Sequence, residues 1–343
     1  MGTEMNEMKF LVVGLGSMGK RRVRNLQALG EQNIAGFDLR ADRREETASK
    51  HGIATFASFE EAIAAFAPDA LVISVSPESH MQYAWQALGL GLSCFIEASV
   101  VEVERVLALS EAVQGRSFVM APSCTMRYFP GPRKVKEILR SGRLGKVLNI
   151  NYQTGQYLPD WHPWEDIGSF YVSRRETGGG REIVPFELTW LNDLFGLPKP
   201  LACVKAKLTD MPADIDDIYH CLLAYPQGVL ANVTVEVISR PAATRELRVL
   251  CAKGELVMSA DENSVRYMAA GDADWTRIDL GSGTVEHGYI NPEEPYISEM
   301  ADFVAAAKEG NPALFPNTLK DDWDVLQVLH GLEQLAQSTE TRK

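Results

Sequence analysis

From residue 9 to residue 26 the chain reads Lys-Phe-Leu-Val-Val-Gly14-Leu-Gly16-Ser17-Met18-Gly19-Lys-Arg-Arg-Val-Arg-Asn-Leu, and no other stretch restricts the fold so closely. Phe10 to Val13 form an apolar, partly β-branched run that suits a buried strand, whereas Val23, Leu26 and Leu29 recur at the spacing of one helix face. The glycines lie between the two patterns. Gly14 permits a tight turn, Gly16 lets backbone approach a pyrophosphate, and Gly19 lets helix pack against strand, while the helix N-terminus offers amide donors to an anion. A Gly-x-Gly-x-x-Gly in this strand-turn-helix setting predicts a dinucleotide-binding βα unit; a glycine-rich turn without ligand is the competing reading.

The following strand, Asn33-Ile-Ala-Gly-Phe-Asp38, ends in an acid nineteen residues past Gly19. A carboxylate at that distance can bind the hydroxyls of an adenosine ribose. It favours NAD over NADP, whose 2′-phosphate it would repel, although Arg40 and Arg43 soften the preference. A helix or turn cap is the alternative role for Asp38. Strand and helix patterns then alternate. A polar helix covers 43–51, and a second covers 58–66 with Ser58 as N-cap and Glu61 at the capping-box position. A buried strand, 70–75, exits through Ser74-Val-Ser76-Pro77-Glu-Ser-His80, the kind of short polar segment that lines a cofactor cleft at a topological switch. His80 on its own reads as a helix-start residue. A helix from His80 to Leu88 leads to a strand over 93–96 and to Glu97-Ala98-Ser99.

A chain of 343 residues suits two domains rather than one. Its formal net charge of −12 argues against nucleic acid or an anionic membrane as partner, since both reward positive charge. The five cysteines are widely spread and never in Cys-x-x-Cys, which predicts reduced, buried thiols in a cytoplasmic protein. The polar, acidic N-terminus carries no signal-peptide pattern, no apolar run reaches spanning length, and the six histidines are isolated, so neither a membrane span nor a metal site is expected.

Beyond residue 146 the periodicity changes. The stretches 147–157, 201–208, 218–225, 229–238, 246–252 and 255–258 alternate as strands do, with turn signals such as Pro226-Gln-Gly between them. Strands that follow one another without helices predict an antiparallel sheet with a broad face to cover, and self-association covers it. The segment 261–295 is turn-rich. An amphipathic helix follows Pro295, with Ile297, Met300, Phe303 and Val304 on one face, and a last helix spans 319–336.

Gly14-Leu-Gly-Ser-Met-Gly19 with an acid closing strand two, Ser76-Pro-Glu-Ser-His80 after strand four, and Phe95-Ile-Glu97 after strand five resemble the glucose–fructose oxidoreductase, inositol dehydrogenase and MocA family. The resemblance runs almost the full length. Cys124-Thr-Met-Arg127-Tyr-Phe-Pro130, together with Leu139-Arg-Ser-Gly142-Arg-Leu-Gly145, is similar to the family's crossover, and Gly178-Gly-Gly180 to the glycines before its active-site helix. Tyr157-Leu-Pro-Asp-Trp161-His162-Pro-Trp164 is similar to bacterial members linked to sugar-derivative metabolism.

This resemblance implies an α/β fold. A Rossmann domain with a doubly wound parallel sheet would occupy 1–122, and an α+β substrate and oligomerisation domain with a large, mostly antiparallel open sheet would occupy 123–294. C-terminal helices at 295–343 would return to pack near the Rossmann domain. It further implies a homodimer or homotetramer through that sheet. Gly14, Gly16, Ser17, Met18, Gly19, Asp38, Arg40, Ser74, Ser76, Pro77, His80, Glu97, Ala98 and Arg127 are the expected cofactor residues. Two departures stand out. The family's lysine after the strand-five glutamate is Ala98 here. The histidine of its active-site helix is absent, since counting from the glycines puts Glu187 in its place and counting back from Trp190 puts Phe186 there.

A nicotinamide dehydrogenase needs a held dinucleotide, a pocket for the reacting carbon and a group to move the proton. Arg127, Tyr157, Trp161, His162, Trp164 and Tyr171 combine flat apolar surfaces with polar tips that suit sugars, and Arg174 and Arg175 could hold an anionic substrate group. Packing between elements is the alternative role for the aromatics. For the proton, Glu187 comes first, because a carboxylate beside Pro185, Phe186 and Trp190 would have its pKa raised if buried; His162 comes second. The alternative for Glu187 is a surface or salt-bridged glutamate. Two functions stay open: an NAD-dependent oxidoreductase acting on a sugar, cyclitol or sugar-acid derivative, and a non-catalytic regulatory binder of dinucleotide or sugar with the same fold.

Overall fold

The computed structural model describes residues 8–161 and 166–340. The chain divides into two compact units, one built from the chain through Thr125 together with Glu293–Trp323, the other from Met126–Pro292 together with Asp324 onward.

The first unit alternates strand and helix: β1 (Phe10–Val13), α1 (Ser17–Ala28), β2 (Ile34–Phe37), α2 (Ala41–His51), β3 (Ala54–Phe56) and α3 (Phe59–Phe66). It continues with β4 (Ala70–Ile73), α4 (His80–Leu90), β5 (Ser93–Ile96), α5 (Val103–Ala112) and β6 (Met120–Pro122). All pairings are parallel, in the order β3-β2-β1-β4-β5-β6. The order reverses between β1 and β4, so the carboxyl ends of these two strands flank the crevice of a doubly wound sheet. Every residue of β1, β4 and β5 is buried, which is why these strands read as continuous apolar runs. Ser58 caps α3, its hydroxyl accepting from the Glu61 amide at 3.3 Å. The three-residue strands β3 and β6 are too short to give a sequence pattern.

The second unit opens with α6 (Pro130–Arg140), β7 (Val147–Gly155) and α7 (Gly180–Phe195). Seven more strands follow: β8 (Lys199–Ala206), β9 (Ile218–Tyr225), β10 (Val229–Glu236), β11 (Thr244–Cys251), β12 (Gly254–Ser259), β13 (Ser264–Ala269) and β14 (Thr276–Asp279). They form one sheet in the order β14-β13-β12-β11-β7-β10-β9-β8, antiparallel except where β7 pairs with β10. Cys203, Cys221, Val233, Tyr152, Leu247, Met258 and Val265 face one another across successive strands and are all buried. Helices α6 and α7 pack on the sheet. Two corrections follow from packing. The strand expected to reach residue 157 ends at Gly155, where a Cβ would lie 1.4 Å from the Glu236 carboxylate. In the stretch read as turn-rich, β13 and β14 form through pairing with β12 and each other, while the polar, exposed β14 has no inward face to create alternation.

Two helices close the chain, α8 (Glu294–Glu309) and α9 (Leu319–Glu340). Helix α8 packs on α1 in the first unit, whereas α9 from Asp324 onward belongs to the second. All five cysteines are buried and unbridged. No described helix is long and apolar enough to cross a membrane, and among the described residues no cluster of His, Cys, Asp or Glu is arranged to hold a metal ion.

The apolar face of α8 carries an acid that hydropathy cannot anticipate. Glu299 is fully buried and accepts from the Ser123 hydroxyl, the Cys124 amide and the Thr125 hydroxyl at 2.6–3.0 Å. Its counter-ion is Arg22 of α1, also fully buried, whose Nη2 lies 3.0 Å from Glu299. The same guanidinium grips Glu97 at 2.7 and 3.1 Å and lies 4.4 Å from the Phe95 ring centroid. Burial alone would lower the Arg22 pKa, but the charges of Glu97 and Glu299 outweigh it and raise it. Removing one member of such a group strands the others without compensation. Arg22→Met is therefore expected to cost about 3–5 kcal/mol of folding stability. Urea unfolding measures it, and a loss below ~1 kcal/mol would show that the network does not hold the unit together.

Candidate functional site

Around the β1–α1 turn, the three glycines have separable reasons. Gly14 has φ +91° and a Cβ there would lie 2.7 Å from the Ser74 carbonyl oxygen, while one on Gly19 would lie 1.8 Å from the Gly14 carbonyl oxygen. Strand, turn and helix thus demand both. A Cβ on Gly16 would meet only the Arg43 guanidinium, at 3.4 Å, so the space beside this residue is open for a ligand. Gly16 offers α1 no capping side chain and the first turn, Ser17-Met18-Gly19-Lys20, holds no acid. Its amides suit a phosphate group.

Asp38 lies at the end of β2, almost buried. Its Oδ2 accepts from the Leu15 amide at 2.7 Å and its Oδ1 from the Arg40 amide at 2.8 Å. Asp38 thus fills the capping role that was the alternative reading, and it stands beside the glycine loop. Arg40 is exposed and paired with Asp42 at 2.5 Å, and Arg43 approaches Asp38 at 3.9 Å. Leu39, next in sequence, is 79% exposed, an apolar surface beside the acid that no local pattern in the sequence marks. These residues fit NAD.

At the carboxyl ends of β4 and β5, Ser74 donates to Glu97 at 3.4 Å, and Arg22 fixes both oxygens of Glu97. Ala98 follows, half-buried. Ser76 precedes a short turn that buries Pro77. His80 does not join a ligand-facing set. Its ring is 2% exposed, and its Nε2 donates to the Val75 carbonyl at 3.0 Å. Burial pushes its pKa below the usual histidine value, so it is a neutral core residue fastening the start of α4.

In the second unit, Tyr157, Trp161 and Tyr171 lean on one small apolar cluster of Leu158, Val172, Met211, Ala213, Ile215 and Val237. The Tyr157 ring also faces the Arg240 guanidinium, 3.9 Å from its centroid. Packing accounts for much of this aromatic segment, although part of each ring remains exposed. His162 and Trp164 lie outside the described residues. Arg127 donates to the Thr189 carbonyl at 3.2 Å and so braces α7. Arg174 is exposed and its backbone forms an isolated β-bridge with that of Asp214, while the Arg175 side chain binds Asp214 and Asp216 at 2.8 and 2.7 Å, which spends the Arg175 charge expected for a substrate anion.

Helix α7 follows the three glycines. A Cβ on Gly178 would lie 2.0 Å from the Val172 carbonyl oxygen, and one on Gly180 2.8 Å from the Tyr219 ring. Glu187 is completely buried. Its Oε2 accepts from Tyr152 at 2.6 Å and from the Trp190 indole at 2.8 Å, and its Oε1 from Arg245 at 2.6 Å. The apolar surrounding expected for it is corrected: Pro185 and Trp190 are there, but Arg245 on β11 and Tyr152 on β7 supply a cation and a phenol. Burial and then the Glu187 charge push the Tyr152 pKa well above its usual value. Glu187 fastens α7 to the sheet. A different acid, Glu182 in the first turn of α7, accepts from the Tyr171 hydroxyl at 2.8 Å. An acid there reads as dipole compensation, which hid it in the sequence.

Two family models match the chain: residues 8–120 fit the oxidoreductase family's NAD-binding Rossmann fold, and residues 133–257 fit the GFO/IDH/MocA C-terminal domain. The chain belongs to the Gfo/Idh/MocA oxidoreductase family. Its cofactor is NAD. Inositol 2-dehydrogenase 3 of Saccharopolyspora erythraea is 29% identical over 141 residues, 40% of this chain and 42% of that relative's length. Among solved structures, levoglucosan dehydrogenase in complex with NADH and levoglucosan superposes with a TM-score of 0.82 at 16% identity, covering 96% of this chain and 97% of the other. An inositol dehydrogenase homolog from Azotobacter vinelandii complexed with NAD+ gives 0.80 at 14%, covering 96% and 95%. These two likenesses extend the Gfo/Idh/MocA fold over nearly the whole chain.

The Glu187 quartet has a measurable weight. Glu187→Gln leaves Arg245 without its carboxylate and is expected to lower stability by about 3–5 kcal/mol, with NADH affinity retained once folded. Guanidinium unfolding and NADH titration check this, and a variant as stable as the parent would show that α7 is held by other means.

Proposed function

We propose that this chain is an NAD-dependent oxidoreductase that moves hydride between the nicotinamide and a hydroxyl- or carbonyl-bearing carbon of a sugar, cyclitol or sugar-acid derivative. The observation that carries the reading is the complete dinucleotide turn with Asp38 oriented by the Leu15 and Arg40 amides. The cofactor, when bound, supplies the hydride acceptor or donor. The chain's own part is to bind and orient. First-turn amides of α1 offer donors to the pyrophosphate, Asp38 accepts from ribose hydroxyls, and Leu39 offers a cover for adenine. Arg22 holds Glu97 and with it the exit of β5, where Ala98 replaces a long cationic side chain with a methyl group. Tyr157, Trp161 and Tyr171 offer ring surface of the kind that packs on sugar faces. The sugar- and cyclitol-oxidising relatives support this substrate class.

NADH is expected to bind at least tenfold more tightly than NADPH in a fluorescence titration, because Asp38 repels a 2′-phosphate and Arg40 is neutralised by Asp42. Equal affinities would remove Asp38 as the selector. With NAD confirmed bound, myo-inositol, levoglucosan, L-tartrate and a wider set of polyols and sugar acids should include a compound that yields NADH. Silence across the set would favour the regulatory binder.

The uncovered sheet face supports self-association. Leu230, Asn149 and Leu250 stand in register on β10, β7 and β11, with Leu222 nearby on β9, and all three leucines are 39–53% exposed. We propose a homodimer or larger homo-oligomer through this face. Leu222→Glu with Leu230→Glu should shift the mass in light scattering from oligomer to monomer, and an unchanged mass would place the interface elsewhere.

A further inference from the structure

The buried row that crosses the second sheet ends, at its β8 edge, in two thiols. Cys203 on β8 and Cys221 on β9 stand directly opposite each other on antiparallel strands, both buried and both unbridged. Residues so placed lie about 4.5–5.5 Å apart at Cα, within the span of about 4.4–6.8 Å that a disulfide requires. The other strand cysteines face no thiol in register: Cys94 lies opposite Leu71 and Met120, and Cys251 opposite Val147 and Gly254.

The two sulfurs are not equivalent. Cys221 donates a hydrogen bond to the Cys203 sulfur, and this bond lowers the Cys203 pKa below the usual thiol value. Burial opposes the shift, the Lys205 ammonium adds to it, and the charges of Glu333 and Asp216 work against it. The same bond, and then burial, push Cys221 well above the usual value. Cys203 is therefore the sulfur that ionises first, beside a neighbour that keeps its proton. Burial moves Cys94 and Cys251 the other way, Cys251 up to about 11, so neither is a ready nucleophile. Access also singles out Cys203. It is 3% exposed on the terminal strand of the sheet, which is hydrogen-bonded on one side only, between the exposed Ala202 and Val204. Backbone at such an edge opens locally at lower cost than a central strand, and a hydroperoxide as small as hydrogen peroxide needs no larger opening.

We propose that Cys203 and Cys221 are an oxidative modification site, a thiol pair that hydrogen peroxide converts to a disulfide joining the edge strand β8 to β9. This does not depend on the oxidoreductase reading. The Cys203 thiolate attacks one peroxide oxygen, the O–O bond breaks, and the leaving hydroxide takes up the proton that the thiol released, giving water and a sulfenic acid. The Cys221 sulfur then attacks the Cys203 sulfur. The S–S bond forms, the S–O bond breaks, and the Cys221 proton leaves with the hydroxide as a second water. Two thiols are thus oxidised by two electrons while one peroxide is reduced to two waters, and a dithiol such as dithiothreitol restores the pair by exchange.

The test uses the full, folded chain and hydrogen peroxide. After oxidation, alkylation of the remaining thiols under denaturing conditions and proteolysis, mass spectrometry should recover the Cys203 and Cys221 peptides joined and two hydrogens lighter than their sum, and dithiothreitol should separate them. Cys94, Cys124 and Cys251 should be alkylated, so that two of the five thiols are lost. In Cys203→Ser, Cys221 should stay alkylatable under the same treatment. Both peptides recovered separately from the oxidised parent, a link from either cysteine to a different one, a link that forms only in urea, or Cys221 oxidised as fast in Cys203→Ser as in the parent overturns the proposal.

Discussion

A single buried guanidinium sets the geometry on which the nucleotide-binding unit depends. Arg22 leaves the first helix one turn after the glycine loop and is completely enclosed, so its charge must be met from within the protein. Glu97 at the end of β5 and Glu299 on α8 meet it. Helix, strand exit and returning helix are thereby tied to one point. Such a cluster is costly to assemble and more costly to leave incomplete, which gives it specificity: only the arrangement that satisfies all three charges is tolerated. Glu299 carries the tie further, to the backbone of Cys124 and the hydroxyls of Ser123 and Thr125, just where the first unit ends in the chain.

The second unit repeats the device on its sheet. Glu187 joins Tyr152, Trp190 and Arg245, fixing α7 over β7 and β11. The two acids of α7 are paired differently. Glu187 is bound by a cation and two neutral donors; Glu182 receives one phenolic hydrogen bond, and its other oxygen has no hydrogen-bond partner among the described residues. Residue type alone does not separate them, since both are glutamates on one helix. Partners do.

How much of this could be read in advance follows from the range of the interactions involved. The β1–α1 turn, the acid closing β2, the Ser58 cap and the buried parallel strands are local or periodic, and the sequence displays them directly. The switch from βα alternation to successive strands likewise announces the second sheet. What the sequence hides is long-range pairing. Nothing near Glu299 identifies Arg22, which is distant along the chain, and an acid inside an apolar helix face looks like an error in the pattern. Glu187 reads as an acid among apolar neighbours because Arg245 lies on a strand far downstream. His80 reads as a helix-start residue, which it is, but its burial is hidden because it depends on β4 and the turn after it. Strands β13 and β14 exist only through their partners. The candidate site is therefore legible at the cofactor turn, whose partners are close in sequence, and illegible around α7, whose partners are far apart.

Asp38 shows a further consequence of shared bonds. Its two oxygens bind the Leu15 amide within the glycine loop and the Arg40 amide at the start of α2, so one side chain both places a charge beside the loop and sets the path of the backbone around it. In the selecting role proposed for Asp38, selectivity and loop shape are a single heritable trait. A lineage changing its preferred nucleotide could not do so by neutralising this position alone, because the same replacement would release two backbone amides. It would have to rebuild the loop and the start of α2 together, and that coupling conserves cofactor choice more firmly than electrostatic repulsion could by itself.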